Sequence, residues 1–173
     1  MEIRFLTSDD SAGWLRLRLE ALAGDPQAFS ASLEEYQSLS LEEVKKRLGF
    51  AVQDSFVVGA FDEDQLVGVA GFFREKSIKT RHKGNVWGVF VTQCKRGQKL
   101  GRKMMEMLLE RAAAINGLEQ VLISVASTQE AALRLYHSLG FRQFGCEPRA
   151  LMVGGRYIDE QYMVLMLKAK DAD

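Results

Sequence analysis

The stretch from Asn85 to Arg111, NVWGVFVTQCKRGQKLGRKMMEMLLER, decides the fold. An apolar run, Asn85–Val91, passes through a basic, glycine-bearing loop straight into a helical pattern. Leu100, Met104, Leu108 and Ala112 recur at helical spacing from Lys99 to Asn116, with Met107 and Arg111 beside them, and Gly117 ends the helix. That methionine-rich stripe reads as core. Strand, loop and helix in this order present the first helical amides to whatever occupies the loop. Those amides have no partner inside the helix and lie at the positive end of its dipole, so they suit phosphate. Gly97 and Gly101 permit close approach, and Lys95, Arg96, Lys99 and Arg102 add positive charge.

Two commoner phosphate loops do not fit. A nucleotide-hydrolase loop needs Gly-Lys-Ser/Thr, whose hydroxyl holds magnesium, but Gly101 is followed by Arg102 and Lys103. A dinucleotide turn needs Gly-x-Gly-x-x-Gly at the start of a βαβ unit, and Gly97 and Gly101 lack that spacing.

Outward from this stretch, Glu2–Leu6 predicts a short first strand, and Ser8, Asp9 and Asp10 can cap a helix running to about Ala23, with Trp14, Leu17 and Ala21 on one face. Gly24-Asp25-Pro26 stops it. Ser40-Leu41-Glu42-Glu43 is a capping box for a helix to about Leu48. Between the two, Phe29–Ser38 reads as an irregular segment able to wall a substrate site. Ser55–Phe61 and Gln65–Phe73 predict an antiparallel hairpin turning at Glu63-Asp64. Gly88 interrupts the next strand and suggests a bulge. Gln120–Val125 is a further strand and Gln129–Leu139 a helix closed by Gly140. Phe141–Met152 and Tyr157–Leu167 form two last strands turning at Gly154-Gly155.

The chain of 173 residues is expected to fold as a single domain, 1–173, since no repeat or linker divides it and its 2 prolines are Pro26 and Pro148. Hydrophobic residues at 47% and charged residues at 27% argue against disorder, and no apolar run nears the ~20 residues of a membrane helix. The early acidic residues of MEIRFLTSDD do not resemble a secretory leader, so a cytoplasmic location is expected, with no membrane partner. Cys94, Cys146, His82 and His137 show no metal-ligand spacing, and no metal is expected. Net charge is zero, yet Arg74–Lys103 holds ten Lys/Arg residues and one acid, Glu75. Arg96, Lys99 and Arg102, at a helix start, read as a polyanion site, whereas Lys76, Lys79 and Arg81 read as solvated surface. A nucleic-acid partner is not expected, because no stacking aromatics interleave with the basic run.

The loop and the segment Val125–Phe141 together resemble the GNAT superfamily of acetyl-CoA-dependent N-acetyltransferases. The signature Arg/Gln-x-x-Gly-x-Gly/Ala falls on Arg96, Gly97, Gln98, Lys99, Leu100 and Gly101. Farther on, Asn-x-x-Ala-x-x-Leu-Tyr-x-x-x-Gly-Phe falls on Gln129, Ala132, Leu135, Tyr136, Gly140 and Phe141. Lys99 takes the place of the family's middle glycine, Gln129 that of its asparagine, and Asn85 that of the fourth-strand glutamate many members use to deprotonate the amine.

The resemblance implies an α/β fold, a mixed, centrally splayed β-sheet flanked by helices (the acyl-CoA N-acyltransferase fold). A bulge at Gly88 splays its strand from Gln120–Val125, and pantetheine lies in the gap. It further implies acetyl-CoA as cosubstrate, held by the backbone of Phe90 and Val91, by Arg96 to Arg102, and by Gln129. Tyr136 is implied as the acid facing the coenzyme A sulfur. The acetyl group would pass by direct attack in a ternary complex to a primary amine, on a small molecule or a protein. Glu34, Glu147 and Asp159 are candidates for holding that amine, with Glu35 and Glu160 near them, and the general base stays unassigned. Members often dimerise, so a homodimer is an expected assembly. The alternative is a catalytically silent acetyl-CoA-binding or regulatory domain.

Overall fold

The computed structural model describes residues 1–48 and 54–167. Strands β1 (Glu2–Phe5), β2 (Ser55–Asp62), β3 (Gln65–Arg74), β4 (Lys83–Val91), β5 (Gln120–Ala126), β6 (Arg142–Val153) and β7 (Arg156–Met166) join one sheet in the order β1-β2-β3-β4-β5-β7-β6. Helices α1 (Ser11–Gly24), α2 (Leu33–Gln37), α3 (Leu41–Leu48), α4 (Leu100–Ala114) and α5 (Glu130–Ser138) flank it. Neighbouring strands are antiparallel except β4 and β5, which are parallel and joined through α4, as a crossover requires.

The elements follow their sequence signals closely. Asp62 pairs with Gln65 across the tight turn at Glu63-Asp64. Ser40 caps α3 reciprocally: its backbone N donates to Glu43 Oε2 at 2.8 Å and its Oγ accepts from Glu43 N at 3.3 Å. Phe29–Ser38 differs from expectation, since it contains the five-residue helix α2. Its cause is a second capping box, in which Ser32 N donates to Glu35 Oε2 at 2.7 Å. The acid at 35 therefore caps a helix instead of facing a substrate.

Two apolar cores sandwich the sheet. Leu100, Met104, Met105, Leu108 and Ala112 of α4 pack with Phe56, Phe72, Val121, Ile123 and Phe141, so the methionine-rich stripe is core. Burying each large side chain in such a layer contributes roughly 1.5–3 kcal/mol. On the other face Trp14, Leu17 and Ala21 of α1 meet Val44 and Leu48 of α3 and Val57, Val69 and Phe90 of the sheet.

The sheet's one irregularity positions everything that follows. β5 pairs with β7 along its full length, Gln120 to Ala126, but with β4 only at Lys83–Asn85 against Gln120–Leu122. Beyond Asn85 the two strands part. Gly88 has φ +62, a left-handed conformation that a side chain would disfavour, and neither it nor Val89 is in register with either neighbour. The bulge turns the end of β4 away from β5, leaving two facing edges without ladder partners.

Candidate active site

A cavity of about 690 Å³ fills the splay. Val86–Val91 of β4 and Ile123–Ala126 of β5 form its two edges. The start of α4 and α5 close one side, and α1 with the Phe29–Tyr36 segment closes the other. Unpaired strand edges in a buried groove need hydrogen-bond partners, which an extended amide-bearing chain can provide as another strand would.

The phosphate loop takes the conformation its residues allow. Gly97 has φ +81 and Lys99 φ +60, so the loop makes two left-handed steps before α4 begins. Lys99 occupies a glycine-like backbone position at some cost in strain, of order 1–2 kcal/mol. Gly101 sits on the first turn, where an added Cβ would lie 3.4 Å from Leu135 Cδ2, so α4 and α5 approach closely here. Arg102 Nη2 donates to Ser138 Oγ at 2.6 Å, tying the start of α4 to the end of α5. Arg96 Nε donates to the Val91 carbonyl at 3.1 Å. Lys95 is turned to Asp62, at 2.5 Å.

Of the residues expected at the cofactor, Phe90, Val91, Arg96, Gly97, Lys99, Leu100, Gly101, Arg102 and Gln129 all line this cavity, and the exposed Gln98 does not. Gln129 precedes α5, and its Nε2 donates to Asp25 Oδ1 at 3.0 Å. That bond joins the α1 side of the cavity to the α5 side. A second link runs from the Thr92 hydroxyl to Glu20 Oε1.

Tyr136 also lines the cavity and is 3% exposed. Burial pushes its phenol above the ordinary value, so the neutral, proton-bearing form dominates. Among the described residues its hydroxyl has no hydrogen-bond partner. Its ring rests on Phe141 with centroids 5.9 Å apart, joining both residues of the second motif.

The acids divide sharply. Glu160 lines the cavity, half-buried, opposite Ala126 of β5 and Glu147 of β6. Burial, then the nearby Glu147, raises its pKa above the usual carboxylate range. Glu34, Glu147 and Asp159 do not line the cavity. Glu147 accepts a hydrogen bond from the Tyr162 hydroxyl, which that bond pushes up to about 12. Asp159 accepts from Arg149 N at 2.8 Å, and Glu34 is exposed on α2. Asn85 donates to Glu75 Oε1 at 2.7 Å, outside the splay.

Sequence reasoning missed Arg18. It is 8% exposed, lines the cavity, and its guanidinium lies 4.6 Å from the Phe29 ring centroid and 5.0 Å from that of Tyr36. Nε and Nη1 have no hydrogen-bond partner among the described residues. Burial lowers its pKa, with Tyr36 opposing. The signal that could have found it is spacing: position 18 lies four residues after Trp14 and four before Leu22, both buried, so a charge falls on the packed face of α1.

A family model described as an acetyltransferase (GNAT) domain matches residues 3–162, and the chain belongs to this family. Among curated relatives, the L-methionine sulfoximine/L-methionine sulfone acetyltransferase of Salmonella typhimurium is 26% identical over 168 residues, covering 96% of this chain and 95% of the relative. Among solved structures, an acetyltransferase of the GNAT family from Streptococcus pneumoniae has a TM-score of 0.85 at 22% identity, covering 96% of this chain and 99% of that one. A putative acetyltransferase, yncA, from Salmonella typhimurium with its cofactor acetyl-CoA has a TM-score of 0.79 at 25% identity, covering 100% and 97%. The protein is an acetyl-CoA-dependent N-acetyltransferase. Its splayed mixed sheet is the one the sequence led us to expect.

Proposed function

We propose that the protein acetylates a small primary amine by direct attack on the thioester in a ternary complex, with Glu160 taking the amine's proton and Tyr136 hydrogen-bonding the departing sulfur. One observation carries the reading: a single cavity at the splay joins the phosphate loop, Tyr136 and Glu160. Bound there, acetyl-CoA supplies an acetyl group on a good leaving group. The first amides of α4, with Lys99 and Arg96, hold its diphosphate, while the free edges of β4 and β5 take its pantetheine amides.

The amine must lose a proton, since an ammonium has no lone pair and a lysine-like amine titrates near ~10. Of the two carboxylates lining the cavity, Asp25 is bonded to the Gln129 amide, and Glu160 is the one to receive that proton, directly or through water; its raised pKa makes it a better base. Tyr136 serves the departing sulfur. A phenol above ~10 is a weaker acid than a thiol near ~8.5, so full proton transfer from Tyr136 to the thiolate is uphill. Its contribution is a hydrogen bond to the developing charge, made in a water-poor site where such a bond counts for more.

The relative named for methionine sulfoximine supports a small-molecule acceptor over a protein. A thiol-release assay with acetyl-CoA and a panel of primary amines, alcohols and thiols tests the reading. Amine-dependent release well above the rate with alcohols supports it. Binding of acetyl-CoA without release by any acceptor would favour a silent binding domain.

A further inference from the structure

Arg18 has more donors than the protein uses. The guanidinium lies over the Phe29 and Tyr36 rings and makes a polar contact with the Tyr36 side chain, while Nε and Nη1 end without partners among the described residues. No carboxylate within 4.0 Å pairs with it among the described residues. Asp25, an acid of the same cavity, takes the Gln129 amide. A buried, uncompensated cation is costly to hold, so a fold that keeps one at a cavity wall gains when an anion arrives.

The diphosphate does not meet that need. Its donors lie at the start of α4, while Arg18 belongs to the opposite side, beside the bulge: an added Cβ on Gly88 would be 3.7 Å from Arg18 Nη1. Gly88 is where β4 turns away from β5, at the far end of the Gly88–Val91 edge from the loop. The anion must therefore come with the second substrate. We infer that Arg18 binds a carboxylate carried by the amine acceptor, which makes the acceptor an amino-acid-like zwitterion with its carboxylate on Arg18 and its ammonium toward Glu160. The planar guanidinium matches a carboxylate with paired N–H···O bonds. Phe29 and Tyr36 beside it, with Trp87 lining the same cavity, offer apolar contact to the acceptor's side chain. This rests on the acetyltransferase reading for the ammonium, not for the carboxylate.

The test separates the two. With the full chain saturated in coenzyme A, which binds without turnover, the twenty common amino acids are titrated by calorimetry. The quench of Trp87 and Trp14 fluorescence is followed in parallel. The tightest binder is then compared with its own carboxamide and its decarboxylated amine. The amino acid is expected to bind at least ~10-fold tighter than either. Arg18→Met should bring it down to their level while leaving the amine and coenzyme A unchanged, and Arg18→Lys should keep part of the preference. Arg18→Met removes a buried charge in favour of an apolar chain of similar reach, so its melting temperature should hold or rise. A wild type that binds the amine or amide as well as the amino acid overturns the inference. So does a wild type that binds no amino acid, or an Arg18→Met variant weakened equally toward all three. If the carboxylate preference stands but no acceptor releases thiol from acetyl-CoA, acetyl transfer falls and the Arg18 subsite survives. Release with amines but not amino acids removes the subsite alone.

Discussion

The two walls of the cavity are built by different physics. On one side, the start of α4 presents backbone: unpaired amides, left-handed steps at Gly97 and Lys99, and a close approach at Gly101. On the other, α1 and the Phe29–Tyr36 segment present side chains, with Arg18 buried among aromatic rings. A wall of amides recognises whatever carries phosphate and can stay the same across many substrates. A wall of side chains changes its preference with each substitution. On the reading proposed above, the backbone wall takes the cosubstrate and the side-chain wall the acceptor, so substitutions on the second can change the amine while the first is kept.

Breaking the backbone wall should have the largest effect. Gly101→Asp puts a carboxylate on the first turn of α4, where it repels the diphosphate and crowds Leu135. Turnover is expected to fall by roughly 10²–10³-fold, since opposed like charges cost several kcal/mol. In the same variant the rise in melting temperature that acetyl-CoA gives the wild type should vanish. A preserved thermal shift would show that the diphosphate sits elsewhere.

Tyr136→Phe probes the region between the walls. It should lower kcat by about 10²-fold while leaving acetyl-CoA affinity intact, because the hydroxyl acts only as the thiolate leaves. Calorimetry beside steady-state kinetics separates the two. Wild-type turnover would reduce Tyr136 to a packing residue on Phe141.

Glu160→Gln sharpens the comparison on the acceptor side. It should reduce kcat/KM for the amine by about 10-fold or more and remove the acid limb expected of the wild type above the ordinary carboxylate range. Stability gives an independent reading. With its folded pKa raised, Glu160 binds its proton more tightly folded than unfolded, so the charged form is penalised in the folded state above that pKa. The amide should therefore melt higher than wild type at neutral pH. The gain should disappear as pH falls through the unfolded value near ~4.3. A pH-independent difference in melting would argue against a raised pKa.

The smallest effect is expected at Lys99→Gly. The change relieves a left-handed residue and should stabilise the fold by about 1 kcal/mol, read as a modest rise in melting temperature. It also removes a cation from the loop, so KM for acetyl-CoA should rise a few-fold and fall less steeply as salt is lowered. An unchanged KM would leave phosphate recognition to the backbone alone.

The backbone wall was legible because its parts are consecutive. Arg96 to Gly101 lie within one turn, and local dihedral and helix-terminus chemistry dictate their geometry wherever the loop occurs. The α4 stripe and the Gly88 bulge were legible for the same reason, through period and an isolated glycine, and Tyr136 through the family motif it shares with Phe141. Glu34, Glu147 and Asp159 show the limit. A carboxylate near a site in sequence faces it or not according to strand register and local bonds. Asp159 is bonded to the Arg149 amide and Glu147 to Tyr162, while Glu160, one residue from Asp159, faces inward.

The sequence by itself determined the family, because its two motifs are short-range patterns, and through that resemblance it led to the splayed sheet, the cosubstrate and the loop proposed to hold it. Only the tertiary structure decided that Glu160, and not Glu34, Glu147 or Asp159, lines the cavity, and that Arg18 is buried there with Nε and Nη1 unpartnered among the described residues. Those facts depend on α1, the Phe29–Tyr36 segment, β4 and β7 packing together across long stretches of chain. No local rule sets the direction in which a side chain points after that packing is done.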